Sequence, residues 1–148
     1  MPLHTTTVIT RPYDQIEIGE SASITKTITE ADIVNFAGII GDFNPIHVDE
    51  EFAKATVFGK RLAHGMLTAS FISTLMGRCM PGTNGLYLSQ EIKFLKPVLV
   101  GDTITAYAEI IEKIDAKRRL IIKTTVSNQR GEMVIDGKAV TMVRKDAE

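Results

Sequence analysis

The sequence contains only one cysteine, Cys79, among its 148 residues. A disulfide-stabilised fold needs cysteine pairs and a thiolate metal site needs several ligands, so both are excluded. The low cysteine content favours a reducing compartment, and we expect a cytoplasmic protein. The polar first residues lack the apolar core of a signal peptide, and no apolar run approaches the roughly 18–20 residues of a membrane span. We therefore expect no association with membranes.

Neither sign of charge is in excess. The chain has 17 Lys and Arg residues and 18 Asp and Glu residues, which gives a formal net charge of −1. A surface that binds nucleic acid needs a basic excess to contact phosphates, so we expect no nucleic-acid partner. Hydrophobic residues make up 44% of the sequence, which is too many for a disordered chain. The remaining class is one compact domain that handles a small molecule.

The first half of the chain is predicted to be mainly helical. A period-two pattern predicts a strand over 22–29, and Thr29 with Asp32 three residues later predicts a capped helix that Gly41 ends. A turn-rich loop and a short helix over 49–55 follow. From His64 to Cys79 most residues are apolar, which predicts a helix buried on most of its circumference.

The second half is predicted to be strands. Segments rich in β-branched and aromatic residues span 86–94, 103–112, 120–127 and 133–143. Their short connections predict that each strand is antiparallel to the next. Because the sheet needs cover on its apolar face, we predict an α+β fold: a curved antiparallel sheet wrapped around one long central helix. The sheet keeps an open edge, which favours a homodimer.

We place this domain at residues 13–143, after a flexible N-terminal segment at 1–12 and before a C-terminal tail at 144–148.

Asp42 and His47 lie on either side of Asn44-Pro45, in a turn that can direct both side chains to one point. A carboxylate and an imidazole with a water between them form an acid–base pair. Gly65 follows His64 at the start of the apolar helix, where backbone N–H groups lack internal partners and can stabilise an oxyanion. These parts suit the addition of water to, or its removal from, a carbonyl compound.

Each of these residues also has a structural interpretation. The loop can be a simple Asx-turn, and His64 can cap or pack against the helix. A metal site made by Asp42, His47 and His64 matches no zinc spacing, so we expect no metal. Ser73, in the apolar helix, by default bonds a backbone carbonyl.

The segment from Gly41 to Asp49, Gly-Asp-Phe-Asn-Pro-Ile-His-Val-Asp, resembles the hydratase signature of the MaoC-like dehydratases, the (R)-specific enoyl-CoA hydratases. The resemblance continues in Ala63-His-Gly-Met-Leu and in Phe94-Leu-Lys-Pro-Val, and it covers nearly the whole chain, from about Tyr13 to Val143. It implies the hotdog fold, which usually dimerises through an edge strand. It also implies hydration of a trans-2-enoyl-CoA to an (R)-3-hydroxyacyl-CoA without a cofactor.

The resemblance also implies roles for particular residues. Asp42 and His47 match the catalytic dyad that holds and activates water, and Gly65 matches the residue whose amide binds the thioester carbonyl. Asn44 matches the residue that shapes the loop, and Ser73 matches a serine that supports the aspartate. We also expect His64, at the helix start, to be a supporting residue of the site.

Two alternatives stay open. The substrate can be a 3-hydroxyacyl group on acyl carrier protein, for which a basic patch of Lys60, Arg61 or Lys93 would be a sign. The chain can also be an acyl-CoA-binding module without catalysis, although binding alone needs no acid–base pair.

Overall fold

The structure of the protein, a computed structural model, describes residues 2–3 and 7–145. One sheet has the order β1-β2-β4-β5-β6-β3, and all its neighbours are antiparallel except β1 and β2, which are parallel. This arrangement confirms the predicted α+β class. The strands are β1 (Pro2–Leu3), β2 (Ser21–Thr27), β3 (Gly85–Phe94), β4 (Thr103–Ile114), β5 (Arg119–Ser127) and β6 (Met133–Val143).

The α-helices of the described residues all precede β3 in the chain. The capping box predicted at the start of α1 is present: the Thr29 hydroxyl accepts from the Asp32 N–H, and the Asp32 carboxylate accepts from the Thr29 N–H. Gly41 ends this helix in the left-handed region at φ 79°. The helices are α1 (Glu30–Ile40), α2 (Pro45–Val48), α3 (Glu50–Lys54) and α4 (Gly65–Cys79).

Helix α4 packs against the inner face of the sheet. One face of the helix, including Ile72 and Leu75, is almost fully buried, and its neighbours across the interface come from β2, β3, β4 and β5. Strand β4 shows the matching period-two pattern, with Ala106 and Ile110 inaccessible to solvent. Cys79 is buried at the end of α4, and burial raises the pKa of its thiol, so it is a packing residue.

The prediction that α4 is buried on most of its circumference was wrong for one face. Met66 is 57% exposed, and Ser70 and Ser73 lie on the same exposed side of the helix. The sheet covers one side of α4 and leaves the other open. The sequence pattern overstated the burial because small residues and serines carry no charge, whether or not they are covered.

The predicted pairing of β3 with β4 was also wrong. Strand β3 pairs with β6, whereas β4 lies between β2 and β5. The connection over 95–102 leads from β3 across the sheet to β4. On the way, Leu99 forms an isolated bridge with Leu62. Strand β3 is therefore an edge strand.

The described residues at both ends of the chain form hydrogen bonds with the domain. Ile9 donates to the Arg78 carbonyl at 2.9 Å and accepts from the Thr83 N–H at 2.9 Å. Arg144 donates to the Asn84 carbonyl at 2.8 Å. Both ends are thus joined to the turn between α4 and β3. Residues 1, 4–6 and 146–148 lie outside the described residues.

Candidate active site

The loop after α1 is held by two side chains that bond to their own backbone. The Asp42 Oδ1 atom accepts from the Asn44 N–H at 3.1 Å, and the Asn44 Oδ1 atom accepts from the Ile46 N–H at 3.1 Å. Asn44 thereby caps α2, with Pro45 in its first turn. This turn of helix, which the sequence analysis had assigned to the loop, carries His47 back towards Asp42.

A hydrogen bond determines which nitrogen of the His47 ring carries the hydrogen. Its Nδ1 atom lies 2.8 Å from the Leu62 carbonyl oxygen. A carbonyl only accepts hydrogen bonds, so Nδ1 carries the hydrogen and Nε2 is left with a free lone pair. Leu62 is itself fixed, because its N–H donates to the Ile46 carbonyl at 3.1 Å. The nitrogen available for proton transfer is therefore His47 Nε2.

This nitrogen faces the carboxylate of Asp42. The distance from His47 Nε2 to Asp42 Oδ2 is 3.8 Å, which is too long for a direct hydrogen bond. An oxygen atom between them can lie within hydrogen-bond distance of both. The Asp42 side chain is 48% exposed and that of His47 is 13% exposed, so the pair lies at a boundary between solvent and protein. The predicted dyad is brought together by the fold.

Gly65 begins α4 next to this pair. Within residues 2–3 and 7–145, its N–H has no hydrogen-bond acceptor, and the helix dipole adds partial positive charge there. The ring of Phe94 lies against the glycine: a Cβ at this position would lie 2.8 Å from Phe94 Cε1. Glycine thus leaves the amide uncovered and allows the aromatic ring to approach.

One cavity connects His47 of the dyad with this amide. It has a volume of about 320 Å³, and His47, Gly65, Thr68 and Phe94 are part of its wall. Most of the lining surface is apolar, which suits the uncharged chain of a substrate rather than a polar one. A carbonyl group at Gly65 and a reacting carbon near His47 can occupy this space together.

His64 contacts both members of the dyad. Neither contact is predicted from the sequence. Its side chain makes no capping bond to α4. Instead its Nε2 atom lies 2.9 Å from the backbone carbonyl oxygen of Asp42, and its ring stacks on the ring of His47 at 3.8 Å between centroids. No local pattern indicates this contact, because it joins residues from separate elements.

Comparison with known proteins identifies the family. Residues 15–132 match the MaoC like domain. The chain belongs to the MaoC-like family. It is 44% identical over 131 residues to the (R)-specific enoyl-CoA hydratase of Rhodospirillum rubrum, covering 88% of this chain and 90% of that protein. It is 40% identical over 136 residues to the 3-hydroxybutyryl-CoA dehydratase of Methylorubrum extorquens, covering 92% and 86%.

A solved structure agrees with this assignment. The R-hydratase PhaJ1 from Pseudomonas aeruginosa in the unliganded form superposes with a TM-score of 0.86 at 40% identity, covering 90% of this chain and 85% of that one. The MaoC-like chain therefore has the hotdog fold, and the predicted family, fold and enzyme class, a hydro-lyase, are confirmed.

Ser73 of the MaoC-like chain does not reach the dyad. In the described residues it makes no hydrogen bond to Asp42. It lines a separate, mainly apolar groove of about 650 Å³ between α1, α4 and β3, together with Phe36 and Met66. The support that was predicted for Asp42 from Ser73 is not made within one chain.

Two cations of the predicted basic patch, Arg61 and Lys93, do not lie where the prediction placed them. Arg61 is buried, and its guanidinium binds Glu50 at 2.7 Å and Glu30 at 3.1 Å. Burial opposes its charge, but these bonds outweigh that effect and raise the pKa of Arg61. Lys93 lines a different depression, beside Asp136 and Lys138. Neither Arg61 nor Lys93 lines the cavity beside His47, whereas Lys96 does.

Asp42, His47 and His64 each place one ligand atom within 4.8 Å of the others. However, the two imidazole rings are stacked with an angle of 25° between their planes. Ring lone pairs lie in the ring plane, so two nearly parallel stacked rings do not converge on one ion at about 2.0–2.1 Å. This geometry favours the stacked pair over a tetrahedral metal site.

No helix in the part of the MaoC-like chain that the structure describes has the length and apolar character needed to cross a membrane.

Proposed function

We propose that this protein hydrates a trans-2-enoyl-CoA reversibly to an (R)-3-hydroxyacyl-CoA. The observation that carries the proposal is one cavity lined by His47, whose Nε2 faces the Asp42 carboxylate, and by Gly65, whose N–H has no acceptor in the described residues. The names of the relatives, an (R)-specific enoyl-CoA hydratase and a 3-hydroxybutyryl-CoA dehydratase, support the same reaction. The (R) configuration depends on this likeness alone.

In the hydration direction, the oxygen of water forms a bond to C3 and a proton adds to C2. We assign Asp42 to accept the proton that water loses and to pass it to the lone pair of His47 Nε2. His47, which also orients the water, then delivers this proton to C2. The π electrons of the double bond move towards the thioester oxygen, and the Gly65 N–H at the helix N-terminus stabilises that negative charge.

The carrier is proposed to be CoA rather than acyl carrier protein. An acidic carrier protein needs a basic surface around the cavity mouth, and two of the three cations expected there are not available: Arg61 is bound to glutamates and Lys93 lies elsewhere. Lys96 lines the mouth, but it forms an ion pair with Glu132. CoA needs only a few contacts to its phosphates. The absence of this basic patch therefore weakens the binding of CoA less than the binding of an acidic carrier protein.

The proposal is tested by mixing the purified protein with trans-2-enoyl-CoA esters of short and medium length. The conjugated thioester absorbance should fall, and an (R)-specific 3-hydroxyacyl-CoA dehydrogenase should oxidise the product. Turnover of the acyl-carrier-protein ester alone would replace CoA by the carrier protein. Binding without turnover for every ester would indicate the non-catalytic module and contradict the hydratase proposal.

We also propose that the working unit is a homodimer formed through β3. Leu86, Tyr87 and Leu88 are 46%, 37% and 39% exposed on this edge strand, and the apolar groove beside Met66 opens next to it. An edge strand also presents unpaired backbone N–H and C=O groups. A second β3 in antiparallel orientation would pair these groups and cover both apolar surfaces.

A further inference from the structure

His64 is located behind the dyad rather than at the mouth of the cavity. It is 3% exposed, and the edge of the Phe36 ring packs against it at 5.2 Å between centroids. On its other face the ring stacks on His47, and its Nε2–H donates to the Asp42 carbonyl at 2.9 Å. One buried side chain therefore contacts the backbone of one catalytic residue and the ring of the other.

We propose that His64 is a positioning residue for the hydration reaction, an inference that rests on the proposed function. It fixes the main chain of Asp42 through its Nε2–H and the plane of the His47 ring through stacking. His64 itself does not exchange a proton with the substrate. Its hydrogen-bond donor is engaged with a backbone carbonyl, and His64 is not among the residues that line the cavity beside His47.

The other nitrogen of His64 supports this role. His64 Nδ1 is buried and has no hydrogen-bond partner in the described residues. A buried acceptor without a donor is unfavourable, because it loses its hydrogen bonds to water and gains none in the protein. A leucine or methionine would fill the position without this cost, but neither makes both contacts. Only a flat ring that carries an N–H donor can stack on His47 and bind the Asp42 carbonyl.

Positioning is important here because the His47 ring makes only one hydrogen bond within the described residues. The Leu62 carbonyl holds Nδ1, but a single hydrogen bond leaves the ring free to tilt about it. A second contact on the ring face limits this tilt and keeps Nε2 towards Asp42. A displacement of about 1 Å in a reacting group can cost on the order of a hundredfold in rate, so this restriction has a kinetic consequence.

Two substitutions separate the two contacts. His64→Gln keeps an N–H donor and loses the ring, whereas His64→Phe keeps a ring and loses the donor. We expect each to lower kcat for enoyl-CoA hydration on the order of tenfold or more while KM changes by less than about threefold, since neither variant alters the cavity wall. Tyr13→Phe is the matched control: it removes a buried hydrogen bond to Asp115, far from the site, and should leave kcat unchanged.

The tautomers of the histidines give a readout that does not depend on turnover. In 15N-histidine spectra of the wild type, we expect an Nε2–H tautomer for His64 and an Nδ1–H tautomer for His47. In His64→Gln the His47 ring should show exchange between orientations. Loss of the His47 Nδ1–H signal or its broadening in this variant supports the proposal even if no thioester is turned over.

Three results would overturn the proposal. One is a kcat within twofold of wild type in both folded variants. Another is a loss that appears wholly in KM. The third is an Nδ1–H or doubly protonated His64 in the wild type at neutral pH, which can be observed even if the variants fail to fold. If the wild type hydrates no thioester, the proposed function fails, and the spectra decide the position of His64 separately.

Discussion

The Gly65 amide is the residue-scale feature on which catalysis by this chain depends most. Gly65 is the first residue of α4, where a proline is tolerated because its missing N–H has no partner in the helix. The three atoms nearest to a Cβ added there all belong to the Phe94 ring. Removal of the N–H and addition of a Cβ can therefore be separated by substitution.

We predict that Gly65→Pro lowers kcat roughly a hundredfold or more relative to Gly65→Ala, because proline deletes the donor for the enolate oxygen and alanine keeps it. Steady-state kinetics of both variants, with circular dichroism to verify the fold, provide the measurement. Equal kcat values for the two variants would remove Gly65 from the mechanism.

Gly65→Ala has its own expected effect. The new Cβ would displace the half-exposed Phe94 ring from the cavity wall, so KM should rise while kcat stays near wild type. In a Phe94→Ala background the same substitution should change KM little, since the ring is no longer there to be displaced. A full effect of Gly65→Ala in that background would contradict the proposed contact.

At this scale the sequence predicted the residue types better than their contacts. The spacing was enough to predict that Asp42 faces His47 and that Gly65 begins the helix beside them, because a turn and a helix start determine their positions locally. The His64 stacking and the Phe94 contact with Gly65 join distant segments, so no local pattern contains them. Ser73 was assigned by likeness alone, and the single chain does not bring it to Asp42.

At the scale of elements, α1 delivers the catalytic loop, since Asp42 follows its last turn directly. The start of the helix is fixed by the reciprocal bonds of Thr29 and Asp32. A hydrogen bond from Lys26 is the largest of the effects that lower the pKa of Asp32 below its ordinary 3.8. The negative charge of Asp32 is thereby stabilised in the folded state.

We predict that Thr29→Ala lowers the free energy of unfolding by about 1 kcal/mol, as loss of an N-cap does.

The contribution of Asp32 to the free energy of unfolding depends on pH. Because the folded pKa lies below the unfolded one, the stabilisation is fully present above pH 3.8 and is lost as the pH falls through the folded value. Urea unfolding at pH 7 and below pH 3 should therefore show a difference between wild type and Asp32→Ala that shrinks in acid. A constant difference would contradict this linkage.

The elements themselves were largely predictable, but their order in the sheet was not. Capping residues, glycines and hydrophobic periodicity are local signals, and they located α1, α4 and the four C-terminal strands. Pairing is decided by the whole sheet: β3 lies beside β6 because the 95–102 segment crosses to β4. A short connection predicts that two consecutive strands pair only when no other strand pairs at the same edge.

At the scale of the whole molecule, the chain is a single hotdog with an unpaired edge at β3 and an uncovered face on α4. The length and near-neutral charge suggested one self-sufficient domain, and the structure agrees for the core. The exposed apolar residues along β3 and the adjacent groove indicate that the surface of one chain is incomplete.

We predict that Leu88→Lys converts a dimer into a monomer, because it places a charge on the proposed seam at β3. Light scattering coupled to size-exclusion chromatography measures the mass directly. Ser23→Lys, which puts the same charge on an exposed position of β2, should leave the dimer intact. A monomeric wild type, or a dimer that tolerates Leu88→Lys, would contradict the assigned interface.

The central claim concerns Asp42 and His47, which the fold holds 3.8 Å apart across one catalytic position. Its most direct test is the kcat for hydration of crotonyl-CoA by wild type, Asp42→Asn and His47→Gln at equal folded concentration. Wild type should turn over, and each variant should lose roughly 10²–10⁴-fold, the usual contribution of a general acid or base. Variants that hydrate crotonyl-CoA at the wild-type rate would contradict the assignment of the dyad.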